Sequence, residues 1–310
     1  MATILITGGT GMIGTYLQKF LVEKGYKIIV LIRDDTQHKS TNENISFAKW
    51  NVEKGEIDKD AIAQSDYIIH LAGANVAEKR WTDKRKKEIV ESRTKSGALL
   101  VKSLKEIPNK IKAVVSASAI GWYGADTITS KQNGFKEDEP PSNDFLGTTC
   151  KLWEESIQPV EKLYKRLCIF RFGIVLSKKG GALEEFKKPL KFGVASILGN
   201  GKQIMSWIHV YDLCRLLLFA IENENTSGIY NAVAPNAVSN KVLTLTLAKQ
   251  MRSKFFIPVH VPAFVLKTML GEMSVEVLKS ATVNNDKVKK AGFSFLYPSI
   301  ETALENLLKK

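Results

Sequence analysis

Short apolar runs alternate with amphipathic stretches along the first half of the chain, and this alternation sets the fold. Strands are predicted over residues 3–7, 26–32, 45–49, 66–72, 113–118 and 167–172. Runs such as Tyr67-Ile68-Ile69 and Ala113-Val114-Val115 are continuously apolar, the pattern of strands covered on both faces. Helices are predicted near residues 12–24, 82–105 and 148–165. In the first, Ile13, Leu17 and Leu21 recur every four residues and share one face. In the second, Ile89, Arg93, Gly97, Leu100 and Leu104 define one side, which is expected to pack on the sheet. Pro159 inside the third predicts a kink. Strand–helix alternation of this kind implies an α/β fold with a doubly wound parallel sheet and right-handed crossovers.

After Phe172 the rhythm changes. Residues 177–206 hold Gly180-Gly181, Gly193 and Gly199-Asn200-Gly201, and they read as loops around one short helix. From about Pro235 onward, helices mix with the proline-punctuated run Ile257-Pro258-Val259-His260-Val261-Pro262. The expectation is a smaller α+β lobe over the carboxyl edge of the sheet, where ligands bind in such folds.

The turn Thr7-Gly8-Gly9-Thr10-Gly11-Met12-Ile13-Gly14 supplies the first chemistry. It lies between the apolar run Thr3-Ile4-Leu5-Ile6 and the first helix, and Gly25 stops that helix before the second run. Strand, glycine turn, helix and strand in this order are the context of a dinucleotide site of the Rossmann type. Gly8 would permit the tight turn, Gly11 the approach of a pyrophosphate, and Gly14 close helix–strand packing. The N–H groups near Met12 and Ile13 would face phosphate charge. An ordinary strand-to-helix turn is the alternative, and the flanking pattern favours the cofactor. The first residue after the second run is Arg33. A guanidinium there suits the 2′-phosphate of NADP, so NADP(H) is expected over NAD(H). Asp34 and Asp35 follow at once, and a solvent-facing Arg–Asp pair is the competing reading. The resulting division is residues 1–176 with about 207–233 for the dinucleotide, and 177–206 with 234–310 for the substrate.

Composition narrows the class. The chain has 310 residues, 44% hydrophobic and 25% charged, as in ordinary globular proteins. No apolar stretch approaches the ~20 residues of a membrane span, and the N-terminus runs straight into a core strand without a secretory layout. Cys150, Cys168 and Cys214 are odd in number and lack CxxC spacing, which fits a reducing cytoplasm. His38, His70, His209 and His260 are scattered, so no metal site is expected. The net charge of +13 is spread along the chain. Its densest run, Lys79 to Lys87, has no nucleic-acid motif beside it, and a solvated helix face is favoured over nucleic-acid binding. The charge would attract phosphorylated ligands.

Further segments carry a resemblance. They are His70-Leu71-Ala72-Gly73-Ala74-Asn75, Lys79-Arg80-Trp81, Glu91-Ser92-Arg93, and Ser116-Ala117-Ser118-Ala119-Ile120-Gly121-Trp122-Tyr123-Gly124. Gly199-Asn200-Gly201-Lys202-Gln203, Trp207-Ile208-His209-Val210 with Asp212, and Ala291-Gly292-Phe293-Ser294-Phe295 complete the set. Together and in order they resemble the extended short-chain dehydrogenase/reductase superfamily over nearly the whole chain. More narrowly they resemble its "epimerase family protein" subgroup, which has a C-terminal domain of unassigned function.

The resemblance implies that Leu71-Ala72-Gly73 ends the fourth strand against the cofactor, with Thr10 and Asn75 among the cofactor contacts. It aligns Ser118 with the superfamily's catalytic serine, although one extra residue separates Ser118 from Gly124. The superfamily's acid/base pair is a tyrosine four residues before a lysine. Lys151 stands in the lysine's place, but Gly147 stands where the tyrosine would be, a departure general in the subgroup. Tyr123 either substitutes from the same cleft or packs beside Trp122. Lys151 either binds ribose or phosphate or lies on a solvated face. Gln203 and Trp207 would line a polar–aromatic substrate pocket, and His209 chiefly packs the junction of sheet and lobe. Arg93 either holds a phosphate or carboxylate or forms a structural ion pair. A homodimer would use helices 82–105 and 148–165. The leading expectation is an NADP(H)-dependent oxidoreductase or epimerase-like enzyme on a small polar molecule, sugar- or nucleotide-linked. The rival is an NADP(H)-binding regulatory or scaffold protein without rapid chemistry.

Overall fold

Successive residues of a strand point to opposite faces, and here both faces are covered. Ile4, Ile6, Ile28, Val30, Ile69 and Val115 enter one apolar core, while Leu5, Ile29, Leu31, Ile68 and Val114 enter another. The computed structural model describes residues 1–33 and 40–309. Asp34, Asp35 and His38 lie outside the described residues.

The first half contains β1 (Thr3–Thr7), α1 (Met12–Glu23), β2 (Lys27–Ile32), β3 (Ile45–Asn51) and β4 (Glu56–Ile57). Then come α2 (Lys59–Gln64), β5 (Tyr67–His70), α3 (Asp83–Glu106) and β6 (Ala113–Ala119). They are followed by α4 (Ile128–Asn133), α5 (Phe145–Ile157) and β7 (Arg166–Phe172). The second half has β8 (Ile174–Leu176), α6 (Gly181–Leu190), β9 (Val194–Leu198), β10 (Ile204–Met205), β11 (Trp207–His209) and α7 (Val210–Glu222). Next are β12 (Gly228–Ala232), β13 (Val238–Ser239), α8 (Asn240–Arg252) and β14 (Ile257–Val261). The chain closes with α9 (Ala263–Leu270), α10 (Ser274–Leu278), α11 (Asp286–Lys290) and α12 (Ile300–Leu308).

The eight-stranded sheet has the order β12-β7-β6-β5-β1-β2-β3-β4. Its strands pair in parallel except β4, which runs antiparallel to β3. Helices α1 and α7 cover one face, and α2, α3 and the end of α5 cover the other. Chain order reverses between β1 and β5, so their carboxyl ends flank the switch point where such sheets bind ligands. A third core joins Leu183 and Leu190 of α6, Trp207, Leu243 and Leu247 of α8, and Leu304 of α12.

Two expectations change. The helix foreseen over 148–165 ends at Ile157 and passes into a 3-10 turn, Gln158–Leu163, that opens with Pro159. Proline lacks the N–H and crowds the preceding turn, so it ends the α-helix where a kink was expected. Residues 177–206 hold strands as well as a helix, because β9 pairs in parallel with β14, the run read only as proline-punctuated. That partner lies some sixty residues away in the chain, and periodicity does not reveal it.

Candidate active site

The glycine turn closes at the switch point. Gly8 adopts φ +67°, and a Cβ there would lie 2.7 Å from the Leu71 carbonyl oxygen. Only glycine allows both the conformation and the approach. A Cβ on Gly14 would lie 2.3 Å from Gly9 O, and one on Gly11 3.3 Å from Gly8 O, so α1 seats directly on the turn. Helix α1 starts at Gly11 with no side-chain cap, as do α6, α9, α10 and α11, whereas side chains cap the other helices. Its first N–H groups are left for a ligand. The cradle fits a dinucleotide pyrophosphate. Thr10 is exposed beside it, and Met12 and Ile13 are half-buried.

Beneath the turn, Thr7 joins the two flanking strands. Its Oγ1 accepts from the backbone N–H of Leu71 and Ala72, each at 3.1 Å, and lies 2.7 Å from His70 Nδ1. With both lone pairs engaged, the hydroxyl donates to Nδ1. The His70 proton therefore sits on Nε2, which faces Ser96 Oγ at 3.5 Å. Burial, and secondarily the charge of Arg93, pushes the His70 pKa down to about 3. This histidine is a neutral strut.

The segment after Gly73 is tied down from α3. Ala74 N–H donates to Ser92 Oγ, Arg93 Nη1 donates to Ala74 O, and Arg85 Nη2 donates to Asn75 O. Trp81 Nε1 donates to Val76 O, Arg80 reaches Thr268 O, and Lys86 pairs with Glu272. The Lys-Arg-Trp and Glu-Ser-Arg motifs thus fix the loop along the crevice and join it to the C-terminal segment. Arg33 is exposed at the end of β2. The Arg85 hydrogen bond holds the Glu88 carboxyl below its usual range, with smaller contributions from Lys79 and Arg33.

Ser118 and Tyr123 join one buried network that sequence reasoning did not anticipate. Ser118 stands opposite Arg171 in the β6–β7 register. Arg171 is 1% exposed, and its Nε and Nη2 hold Glu154 bidentately at 2.8 and 2.9 Å. Ser118 Oγ donates to Glu154 Oε1 at 2.6 Å, and Tyr123 OH donates to Asn231 Oδ1 at 2.7 Å. Arg171 Nη1 donates to Tyr123 OH at 3.0 Å and its guanidinium covers the Trp122 ring at 3.7 Å. Burial raises the Tyr123 pKa above the ordinary phenol range. The visible signals for this network were a lone arginine inside the apolar run Cys168 to Phe172, and a glutamate on the inner side of α5.

Lys151 stands apart. It is exposed on α5, 3.9 Å from Glu155. The neighbouring side chain that faces the sheet is Cys150, whose Sγ lies 3.5 Å from Ala119 O and whose pKa burial pushes up to about 12. At Gly147 a Cβ would fall 2.2 Å from Ser142 O, so no tyrosine fits that position. Between Ser118 and Gly124 the chain passes through a 3-10 turn, Ile120–Tyr123.

Gln203 and Trp207 are buried, and their donors go to backbone: Gln203 Nε2 to Leu198 O and Val277 O, Trp207 Nε1 to Asn236 O. His209 stacks on Tyr297 with ring centroids 4.0 Å apart, and its Nδ1 caps α7 by accepting from Tyr211 N–H. Burial pushes its pKa down to about 4. Arg93, by contrast, points toward Gly73 and has no carboxylate partner among the described residues. No helix among the described residues is long and apolar enough to cross a membrane.

The NAD dependent epimerase/dehydratase family matches residues 4–232, and a domain of unknown function (DUF1731) matches residues 261–307. An epimerase family protein of Staphylococcus aureus (strain MRSA252) is 36% identical over 310 residues, 100% of both chains. The Bacillus subtilis epimerase family protein YfhF is 34% identical over 306 residues, 98% of this chain and 97% of its own. The human epimerase family protein SDR39U1 (isoform 2), solved with NADPH, superposes with a TM-score of 0.85 at 25% identity and 98% coverage of each chain.

Proposed function

The chain belongs to the NAD dependent epimerase/dehydratase family, and from that premise we propose that it is an NADP(H)-dependent oxidoreductase or epimerase-like enzyme acting on a small polar, sugar- or nucleotide-linked molecule. An NAD(P)-dependent enzyme of the extended short-chain dehydrogenase/reductase type is the coarser statement, and the family supports it directly. The observation that carries the finer reading is the uncapped start of α1 on the Gly8–Gly14 turn, with Arg33 at the end of β2. The NADPH in the human relative's structure supports the same choice.

A bound nicotinamide supplies or accepts hydride. The residues of this chain bind and position. Gly8, Gly11 and Gly14, with Thr10 and the N–H groups of Met12 and Ile13, receive the pyrophosphate. Arg33 pairs with the 2′-phosphate, and Leu71-Ala72-Gly73 with Asn75 form the opposing wall. Residues 1–176 with about 207–233 carry this site, and 177–206 with 234–310 complete the substrate side. The hydroxyls of Ser118 and Tyr123 already donate to Glu154 and Asn231, so the proton passes to or from water in the crevice. A regulatory NADP(H)-binding role is the second reading, favoured by the closed space at Gly147.

Fluorescence titration with NADPH and NADH, beside Arg33→Ala, tests the proposal. NADPH should bind about tenfold or more tightly than NADH, and the variant should lose that preference. Equal affinities in the native chain would remove the NADP assignment, and no binding of either would remove the cofactor site.

A further inference from the structure

Arg93 is an arginine with three of its five N–H donors unanswered. It belongs to the inward row of α3 with Ile89, Gly97 and Leu100, and its guanidinium lies 4.8 Å from the Trp153 ring centroid. Nη1 donates to Ala74 O at 3.0 Å and to Ile89 O at 2.9 Å. A Cβ on Gly73 would come within 3.0 Å of Cζ and 3.3 Å of Nε. Glycine at 73 therefore makes room for the guanidinium at the carboxyl end of β5.

The other edge, Nε with Nη2, has no acceptor. In Arg171 that same edge grips Glu154, which shows what it is shaped for. The two α3 carboxylates nearest to it in the chain pair elsewhere: Glu88 with Arg85, and Glu91 with Lys87 and Lys95. Buried unpaired donor nitrogens among the described residues fall on Arg85, Trp153 and His209, not on Arg93. The free edge therefore keeps contact with solvent, and the unpaired Trp153 Nε1 belongs to the ring it rests on. Burial, and secondarily the neighbouring charge of Arg85, pushes the Arg93 pKa down to about 10, as expected of a cation short of counter-charge. A cation held in such a place needs an anion to offset its lost hydration, and a fork of two parallel N–H groups fits two oxygens of one group.

We propose that the Nε–Nη2 edge of Arg93 binds a carboxylate or phosphate of the substrate, so that this enzyme acts on an anionic molecule held at the inner end of the cofactor crevice. The inference rests on the reading that the crevice takes NADP(H). It adds the substrate's charge and the residue that senses it. Arg93 then fixes the substrate's distance from the β5–β6 strand ends, while contact with Gly73 and Trp153 fixes the orientation of the planar guanidinium.

The test is arginine Nε–H NMR on the full chain, with the Arg93 resonance identified by its loss in Arg93→Lys. Acetate and inorganic phosphate are titrated separately into the free and the NADPH-loaded protein. The expected result is a saturable shift at Arg93 in both forms, at about tenfold lower concentration than at exposed arginines, since only a fork held in place gains bidentate geometry. Arg171 should not move, and Arg93→Lys should bind NADPH within about threefold of the native chain. Which anion saturates first separates a carboxylate substrate from a phosphate one. A resonance indifferent to both anions overturns the proposal. So does one that shifts on NADPH alone and is then blocked, because the anion would be the cofactor's own. Anion shifts in a chain that fails to bind NADPH would keep the Arg93 site and discard the cofactor reading instead.

Discussion

Arg171 and Arg93 sit on the same side of the sheet, and they differ in what meets the guanidinium. Around Arg171 every guanidinium nitrogen has an acceptor: Glu154 on the fork, and Tyr123 and the Glu137 carbonyl on Nη1. Around Arg93 only Nη1 is answered, by two carbonyls of neutral peptide groups. The first arrangement is closed and mechanical, joining β6, β7 and α5. The second lies beside Gly73, just past the carboxyl end of β5, with its fork unanswered. The contrast is between a guanidinium whose fork is answered by a carboxylate and one whose fork has no acceptor among the described residues.

The largest expected effect comes from opening the closed site. Arg171→Met leaves Glu154 buried beside Ser118 without its cation, and should cost about 3–5 kcal/mol in urea unfolding. Arg93→Met removes an unpaired charge, and should change stability by less than about 1 kcal/mol in either direction. Equal losses in the two variants would erase the comparison.

Acid comes next. His70 and His209 are held neutral with pKa values near about 3 and about 4, against about 6.5 in the unfolded chain. The unfolded state therefore binds more protons between those values. Stability is fully present above pH 6.5 and should fall by roughly 2–3 kcal/mol per pH unit as pH drops from about 6 toward 4. Arg93→Met should raise the His70 pKa by removing the neighbouring charge, and imidazole NMR would show it. An unmoved His70 titration would separate the two residues electrostatically.

Smaller effects refine the picture. Ser118→Ala removes one hydroxyl from a pair that stays intact, and about 1–2 kcal/mol of stability should go with it. Lys151→Ala, at an exposed pair 3.9 Å apart, should cost less than about 0.5 kcal/mol. A large loss at Lys151 would mean that the exposed face of α5 is covered by something in solution.

Much of this architecture was legible in the chain. The apolar runs placed β1, β2, β5, β6 and β7 within a few residues, because strands buried on both faces leave no polar interruption. The glycine turn was legible because its backbone requirements are local. The phase of α5 was not. One residue rotates a helix by about 100°, and that step separates exposed Lys151 from buried Cys150. The Glu154–Arg171 pair joins elements 17 residues apart, and only the register of β6 and β7 brings Ser118 to it. Gln203 and Trp207 looked like pocket residues because polar and aromatic side chains line pockets, yet each meets backbone carbonyls that lie far away in sequence.

The most direct measurement is hydrogen–deuterium exchange with and without NADPH. The account predicts protection of amides in residues 8–14 and 71–75, where the uncapped α1 start and the β5 wall face one another. It predicts little change in the Ser118, Glu154 and Arg171 segments, which are already closed. Protection centred on those closed segments, with none at the glycine turn, would contradict it.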